Sequence, residues 1–436
     1  MESNGNRDIQ ASKLNSIIII TGAAFPIGYA QTKRKKALAS GFIANGYHTT
    51  VLITRPTEAK IINNQSIKGV HDGIEYFYTC KRTVKPGNIF HRALLHGVGI
   101  ANAVKYITNL KGRSNCLCIW SNSTGVFATI SFYITSKIIG SVYVHEINEH
   151  PEVFLNRFIF FKYFALLKFR LIFKFFDVIF CISEPLLEYI EKRKRKDAIA
   201  TILPIVAELP KKPFPKYTEK RNDIVYIGNL IDKKDGIFNL IHSFKIAHDY
   251  NTELHLIMIG EGPDKIQCEN LAKTLSIDKH VVFTGYLYGA ALEDMIYNAA
   301  LLVLNRPNNL QARFGLPTKL AEYLLTGIPV VVTNVGDISK YLLNEYSSFI
   351  VENDLPDTFA RGIISALSNP NLGKIGLQGQ LIAEQYFHPV KNALHFINTI
   401  LNWRSNRDFF GERYNTPRNM IHEPSLLGEK ESTDSL

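Results

Sequence analysis

Two lysines, Lys233 and Lys234, stand in YIGNLIDKKDG (Tyr226–Gly236), between an apolar strand-like run and a helical one. A lysine there lies beside the unpaired N–H groups of a helix start, a combination that suits a diphosphate. A solvated basic turn has the same composition. LPTKLAE offers a second helix start, where Pro317 fits because its missing N–H needs no partner in the first turn. Thr318 and Lys319 are placed there for phosphate, and Glu322 lies one turn further in. Leu320, Tyr323 and Leu324 share one helical face and Gly327 stops the helix. A carboxylate inside so apolar a unit needs a reason, and accepting hydrogen bonds from two ribose hydroxyls is one. IGEGP and FTGYL are strand ends where Gly260, Gly262 and Gly285, followed by Tyr286, let backbone approach a flat base closely. VHEINEHPE crowds His145, Glu146, Glu149 and His150 into six residues. A single cluster on one loop lacks a distant third metal ligand, so it is expected to be an active-site edge. His145 would donate a hydrogen bond there, and Glu146 or Glu149 would touch substrate hydroxyls.

These residues need strands to hold them. SIIIITG, TTVLITR, IEYFYTC, CLCIWS, SVYVHEI and DVIFCIS alternate with helical stretches such as 37–45 and 90–110, the pattern of a parallel sheet wrapped by helices. ELPKKPFPKYTEKRN then breaks the period with three prolines and reads as a linker. A second series follows: DIVYIGNL, ELHLIMIG, HVVFTG, LLVLNRP, IPVVVTN and SSFIVEN. The expected organisation is an α/β first domain over 1–206, a linker over 207–222, and a second α/β domain over 223–386. A closing helix is expected over 387–403 and a disordered tail over 404–436. At 436 residues two doubly wound domains are the natural division. Ligands then bind outside the carboxyl ends of the strands, in the cleft between the domains.

The net charge of +11 is unevenly placed. Residues 1–205 carry 27 Lys and Arg against 13 Asp and Glu, and the remainder 23 against 26. The first half therefore meets something anionic, with nucleic acid, phospholipid headgroups or a pyrophosphate-bearing substrate as candidates. The five cysteines are odd in number and sit in apolar runs, so buried free thiols are expected. The spacing of Cys116 and Cys118 puts both on one face of a strand. No run of about 20 uncharged apolar residues exists to span a bilayer.

In this order, YIGNLIDKKDG, LIMIGEGP, VVFTGYL and FGLPTKLAEYLLTGIPVVVTNVGDI resemble the donor domain of family-4 retaining glycosyltransferases with the GT-B fold. The resemblance covers about 223–370 and extends more faintly to the segment beginning AAFPIGYAQTK. It implies two Rossmann-like domains facing across a cleft, with Glu322 on the nucleotide ribose and Lys234 on the diphosphate. It also implies that Gly28 faces the diphosphate from the other domain and that His145 lies near the donor sugar. Asn229, Leu316 and Pro317 fall in the same donor segments, and Tyr29 joins Glu146 and Glu149 on the acceptor side. Two positions depart from the pattern. Phe314 stands where many relatives have a glutamate, which removes the usual contact to the transferred sugar. Asn229 stands where many have an arginine, which leaves Lys234 and Lys319 as the cations. No Asp-x-Asp occurs, so no metal is expected. No cofactor is expected beyond the nucleoside-diphosphate sugar substrate.

TGAAFPIG (Thr21–Gly28) and YITSK (Tyr133–Lys137) also resemble short-chain dehydrogenase motifs. Pro26, however, replaces the glycine needed for close approach to a pyrophosphate, and no acidic residue follows the second strand. FLNRFIFFKYFALLKFRLIFKFFD (Phe154–Asp177) is aromatic and basic, and suits either a bilayer surface or a core helix. EKRKRK adds the cations Lys192 to Lys196. With no nucleic-acid-binding module present, a basic face toward an anionic membrane is the expected explanation. The chain is therefore expected to act as a cytoplasmic enzyme, peripheral at the membrane, moving a sugar to a polysaccharide or lipid-linked acceptor. The alternatives are a nucleotide-sugar epimerase on the same fold and a non-catalytic membrane-associated binding protein.

Overall fold

A computed structural model describes residues 16–59, 63–110, 115–154, 167–208 and 221–415. The first of its two sheets has eight strands. They are β1 (Ser16–Thr21), β2 (His48–Ile53), β3 (Lys68–His71), β4 (Ile74–Tyr78), β5 (Cys116–Ser121), β6 (Val142–Ile147), β7 (Val178–Cys181) and β8 (Ile199–Ile202). Their order is β3-β4-β2-β1-β5-β6-β7-β8. The pairing is parallel except between β3 and β4. The second sheet has six strands: β9 (Asp223–Ile227), β10 (His255–Ile259), β11 (Val281–Gly285), β12 (Ala299–Leu304), β13 (Val330–Thr333) and β14 (Phe349–Val351). Its order, β11-β10-β9-β12-β13-β14, is parallel throughout. The helices that matter below are α1 (Ala30–Ala44), α2 (Ile89–Asn109), α3 (Val126–Ile139), α4 (Thr318–Leu325), α5 (Leu372–Tyr386) and α6 (Pro389–Asn415).

The strands expected from apolar runs are present, because runs such as Ile17–Ile20 and Leu301–Leu304 are buried from both sides. Strands β3 and β8 are additional. Strand β3 forms because Asp72 and Gly73, at φ 50° and 79°, make the left-handed two-residue turn that a hairpin needs. The Cys116 and Cys118 expectation is corrected. A register shift against β1 puts Leu117 and Cys118 on the same side, so Cys116 faces one core and Cys118 the other. All five thiols are buried and free.

The closing helix α6 runs on to Asn415, past the 403 expected, so the segment 404–415 is helical. It crosses back to the first domain, where Phe396 stacks on Phe180 at 4.4 Å and meets Phe42 and Trp120. The expected tail over 416–436 and most of the expected linker, 209–220, lie outside the described residues. Among the described residues no helix is long and apolar enough to cross a membrane. Residues 155–166 of the aromatic-basic segment also lie outside them. In its described part Phe169, Phe173 and Phe176 are core residues, so these phenylalanines do not point to a bilayer. The basic run is largely engaged within the protein too. Arg195 bonds the buried Asp177 at 2.8 Å, Arg193 stacks on Tyr189, and Lys194 bonds the Ala198 carbonyl.

Candidate active site

A cavity of about 710 Å³ lies where the carboxyl ends of the two sheets face each other. The first domain contributes the loop after β1 (Thr21, Gly22), the loop after β5 (Asn122, Ser123) and the end of β6 (His145 to Glu149). The second contributes Lys234, Arg306, Gln311 and residues 315–318. Of the residues expected from sequence, His145, Glu146, Glu149, Lys234, Leu316, Pro317 and Thr318 line it. Gly28, Tyr29, Asn229, Gly260, Gly262, Gly285, Tyr286, Lys319 and Glu322 lie outside that wall.

Polar contacts join the domains beside the cavity. Lys33, on α1, bonds the Glu322 carboxylate at 3.1 Å, and Gln311 donates to Glu149 at 2.8 Å. Ser183 donates to the Phe314 carbonyl at 2.6 Å, and the Phe314 ring lies 4.4 Å from that of His150. Phe314 is thus packed across the domain interface.

The expected roles need three corrections. Glu146 does not present its carboxylate to an acceptor: Arg34 bonds it at 2.6 Å and Asn122 at 3.4 Å, and only 1% of the side chain is exposed. Arg34 also donates to the carbonyls of Pro204 and Leu203, tying α1 and β6 to the chain that leaves the first domain. His145 does not donate into the cavity. Its Nδ1 lies 2.8 Å from the Ser121 carbonyl, which can only accept, so Nδ1 carries the proton. Burial, partly opposed by that bond and by Glu146, lowers its pKa to about 4, so the ring is neutral and Nε2 is an acceptor. Gly260 and Gly262 have a reason within the domain: a Cβ would stand 1.8 Å from the Gly228 carbonyl and 2.2 Å from that of Leu230. Their absence of side chain lets the β9 and β10 loops touch.

The protonation of His145 has a measurable consequence. Its folded value is depressed from 6.5, so the unfolded chain binds the extra proton first. The stability this contributes is present above pH 6.5 and is lost as pH falls toward 4. We expect His145→Gln to flatten the loss of urea stability between pH 7 and pH 5 by about 2 kcal/mol. Equal slopes in wild type and variant would show that the ring is not held neutral.

Sequence reasoning missed Arg306. It follows β12, its backbone is held both ways by the Thr333 hydroxyl (2.9 and 3.0 Å), and its guanidinium lines the cavity. Nothing local in LLVLNRPNN marks it. Lys319 lies close by, its amine 3.3 Å from the buried Asp235 carboxylate and 4.9 Å from the Tyr226 ring centre. Burial lowers the Lys319 pKa, Asp235 opposes this, and Arg306 and Lys234 lower it further. Arg306 and Lys234 thus add positive charge in the neighbourhood of the Lys319–Asp235 pair. The Arg306 Nε and the side-chain oxygens of Asn122 and Asn148 are buried in the cavity wall without a partner among the described residues. Buried polar atoms of this kind are ordinarily satisfied, so these three point to a ligand or water.

The dehydrogenase-like pair does different work here. Lys137 bonds Asp177 at 2.7 Å as well as lying over the Tyr133 ring. Among the described residues no group of three or more His, Cys, Asp or Glu is arranged to hold a metal ion.

Residues 210–376 match the family of glycosyl transferases group 1. An uncharacterized glycosyltransferase, MJ1607 of Methanocaldococcus jannaschii, is 29% identical over 147 residues, which span 34% of this chain and 36% of that protein. Among solved structures, sucrose-phosphate synthase from Thermosynechococcus elongatus superposes with a TM-score of 0.67 at 15% identity. The match covers 91% of this chain and 100% of that one. HepE of Anabaena, solved with UDP and glucose, gives 0.62 at 13% identity, covering 88% and 98%. The fold is GT-B.

Proposed function

We propose, from the match of residues 210–376 to the family of glycosyl transferases group 1, that the protein moves a sugar from a nucleoside diphosphate to a glycan or lipid-linked acceptor with retention of configuration. The observation that carries the reading is the interdomain cavity with Lys234 and Arg306 on one wall and, on the other, the Asn122 and Asn148 amide oxygens, which have no hydrogen-bond partner among the described residues. Lys234, Arg306 and Lys319, with the start of α4 at Thr318, stabilise the negative charge of the departing diphosphate, the electrostatic contribution that usually dominates such steps. Glu322 exchanges Lys33 for the ribose hydroxyls. Tyr286 and Gly285 lie at the base end, and Asn229 and Gly28 border the diphosphate path. His145 Nε2 and the amide oxygens of Asn122 and Asn148 accept hydrogen bonds from sugar or acceptor hydroxyls. Glu149 and Tyr29 lie on the acceptor side. The acceptor hydroxyl attacks from the face the diphosphate leaves, and a phosphate oxygen takes its proton. This chemistry needs neither a protein nucleophile nor a metal ion. The structure of HepE with UDP and glucose supports a nucleotide sugar as the substrate class.

The +14 charge of the first half supports work on an anionic, cytoplasmic membrane face. Phosphorus NMR on the protein mixed with a panel of nucleotide sugars tests the reading. We expect free nucleoside diphosphate to build up from one of them. A shifted sugar nucleotide with no free diphosphate would mean epimerisation, and unchanged spectra throughout the panel would favour a binding protein.

A further inference from the structure

We propose that the outer face of α2 and α3 docks on an anionic lipid bilayer, setting the cavity at headgroup level. Along α2, Phe90, Leu94 and Val98 recur at helical spacing and are 81%, 66% and 42% exposed. Along α3 the exposed stripe is Val126, Phe127, Ile130, Ile134 and Ile138, with Phe127 at 67%. The two helices pack together on one face of the first sheet, where Ile100, Ala103 and Ile107 of α2 share a core with Ala128 and Phe132 of α3. Leu167 and Leu171 add to the exposed apolar area from the segment whose Phe169 and Ile172 enter the same core. Contiguous apolar surface of this kind marks an interaction site.

Charge selects the occupant. The 70 residues from 76 to 145 contain no Asp or Glu and eight Lys or Arg. Lys81, Arg82, Lys85, Arg92 and Lys105 are exposed, and none has a carboxylate partner among the described residues. Among the described residues Arg92 bonds the carbonyls of Pro86 and Gly87. Apolar side chains at acyl depth with cations at phosphate depth fit an anionic bilayer, whereas a soluble protein partner would not require a region free of acids. The same helices reach the cavity through His96 and Ala128, and Gly125, which caps α3, lines it as well. A lipid-borne acceptor would thus enter beside Phe127 with its head already at the site. Only this identity for the acceptor rests on the glycosyl-transfer reading; the docking itself does not.

Sedimentation of the full chain with vesicles tests the proposal. At low salt it should pellet with phosphatidylglycerol-containing vesicles, release in part at high salt, and stay in solution with phosphatidylcholine alone. Phe90→Glu combined with Phe127→Glu alters only exposed side chains and should weaken pelleting at least tenfold, with an unchanged circular dichroism spectrum. Four results would overturn the proposal: no pelleting of wild type, equal pelleting with neutral vesicles, full pelleting of the double variant, or a wild-type dimer that these substitutions dissociate. Release of nucleoside diphosphate measured without vesicles decides the transfer reading separately.

Discussion

Arg306→Ala and Lys234→Ala should each lower the turnover of the preferred nucleotide sugar on the order of 10²- to 10³-fold. Both residues line the cavity from the second domain, and the Arg306 Nε is buried without a partner among the described residues. A cation fixed in a site that excludes water gains more from the departing diphosphate than it would in solvent, and costs no reorganisation as charge develops. The Arg306 backbone is clamped by Thr333, so truncation removes the charge without moving the loop. Arg306→Lys should recover part of the loss, since it restores the charge but not the planar donor set. Steady-state rates of diphosphate release measure this. A folded Arg306→Ala enzyme at wild-type rate would remove that residue from the chemistry.

Glu146→Ala should destabilise the first domain by about 3–5 kcal/mol, because it leaves the buried Arg34 without its counter-charge. Arg34 and Glu146 meet at 2.6 Å with side chains 3% and 1% exposed. Lys35, likewise buried, has its pKa lowered by burial to about 8 despite the attraction of Glu146, so losing that carboxylate would leave a second cation uncompensated. Glu146→Gln keeps an acceptor for Arg34 and should cost less. Replacing both partners, as Arg34→Met with Glu146→Leu, should recover much of the loss, as apolar substitution of buried pairs often does. Urea unfolding followed by circular dichroism reads this order. A Glu146→Ala midpoint equal to wild type would mean that the pair is not structural.

Much of the cleft was legible before the fold was known. Pro317 and Thr318 sit at a helix start, which short-range sequence signals mark well, and both line the cavity; Lys234 lines it too, from the last turn of the short helix Asp232–Asp235 rather than from a helix start. The contents of each wall were harder to read. Arg306 follows an apolar strand with no local signal, and only Thr333, on the next strand, fixes where it points. Glu146 shares a polar stretch with Glu149 and His150, yet its partner Arg34 lies 112 residues earlier. For His145 the sequence marks the position but not the hydrogen-bonding sense, because a carbonyl on the neighbouring strand decides which nitrogen carries the proton. The basic run at Lys192–Lys196 reads from sequence as the membrane contact. Asp177, Tyr189 and Ala198 engage three of its cations, which only the fold could show.

The measurement that tests the central claim most directly is calorimetric titration of the wild-type protein, in EDTA, with UDP, GDP, ADP and CDP and with the matching nucleosides. If Lys234, Arg306 and Lys319 form a metal-free diphosphate site, one diphosphate will bind at least tenfold more tightly than its nucleoside, and Arg306→Ala will remove most of that difference. Equal affinity for diphosphate and nucleoside, or diphosphate binding that appears only after magnesium or manganese is added, would contradict it.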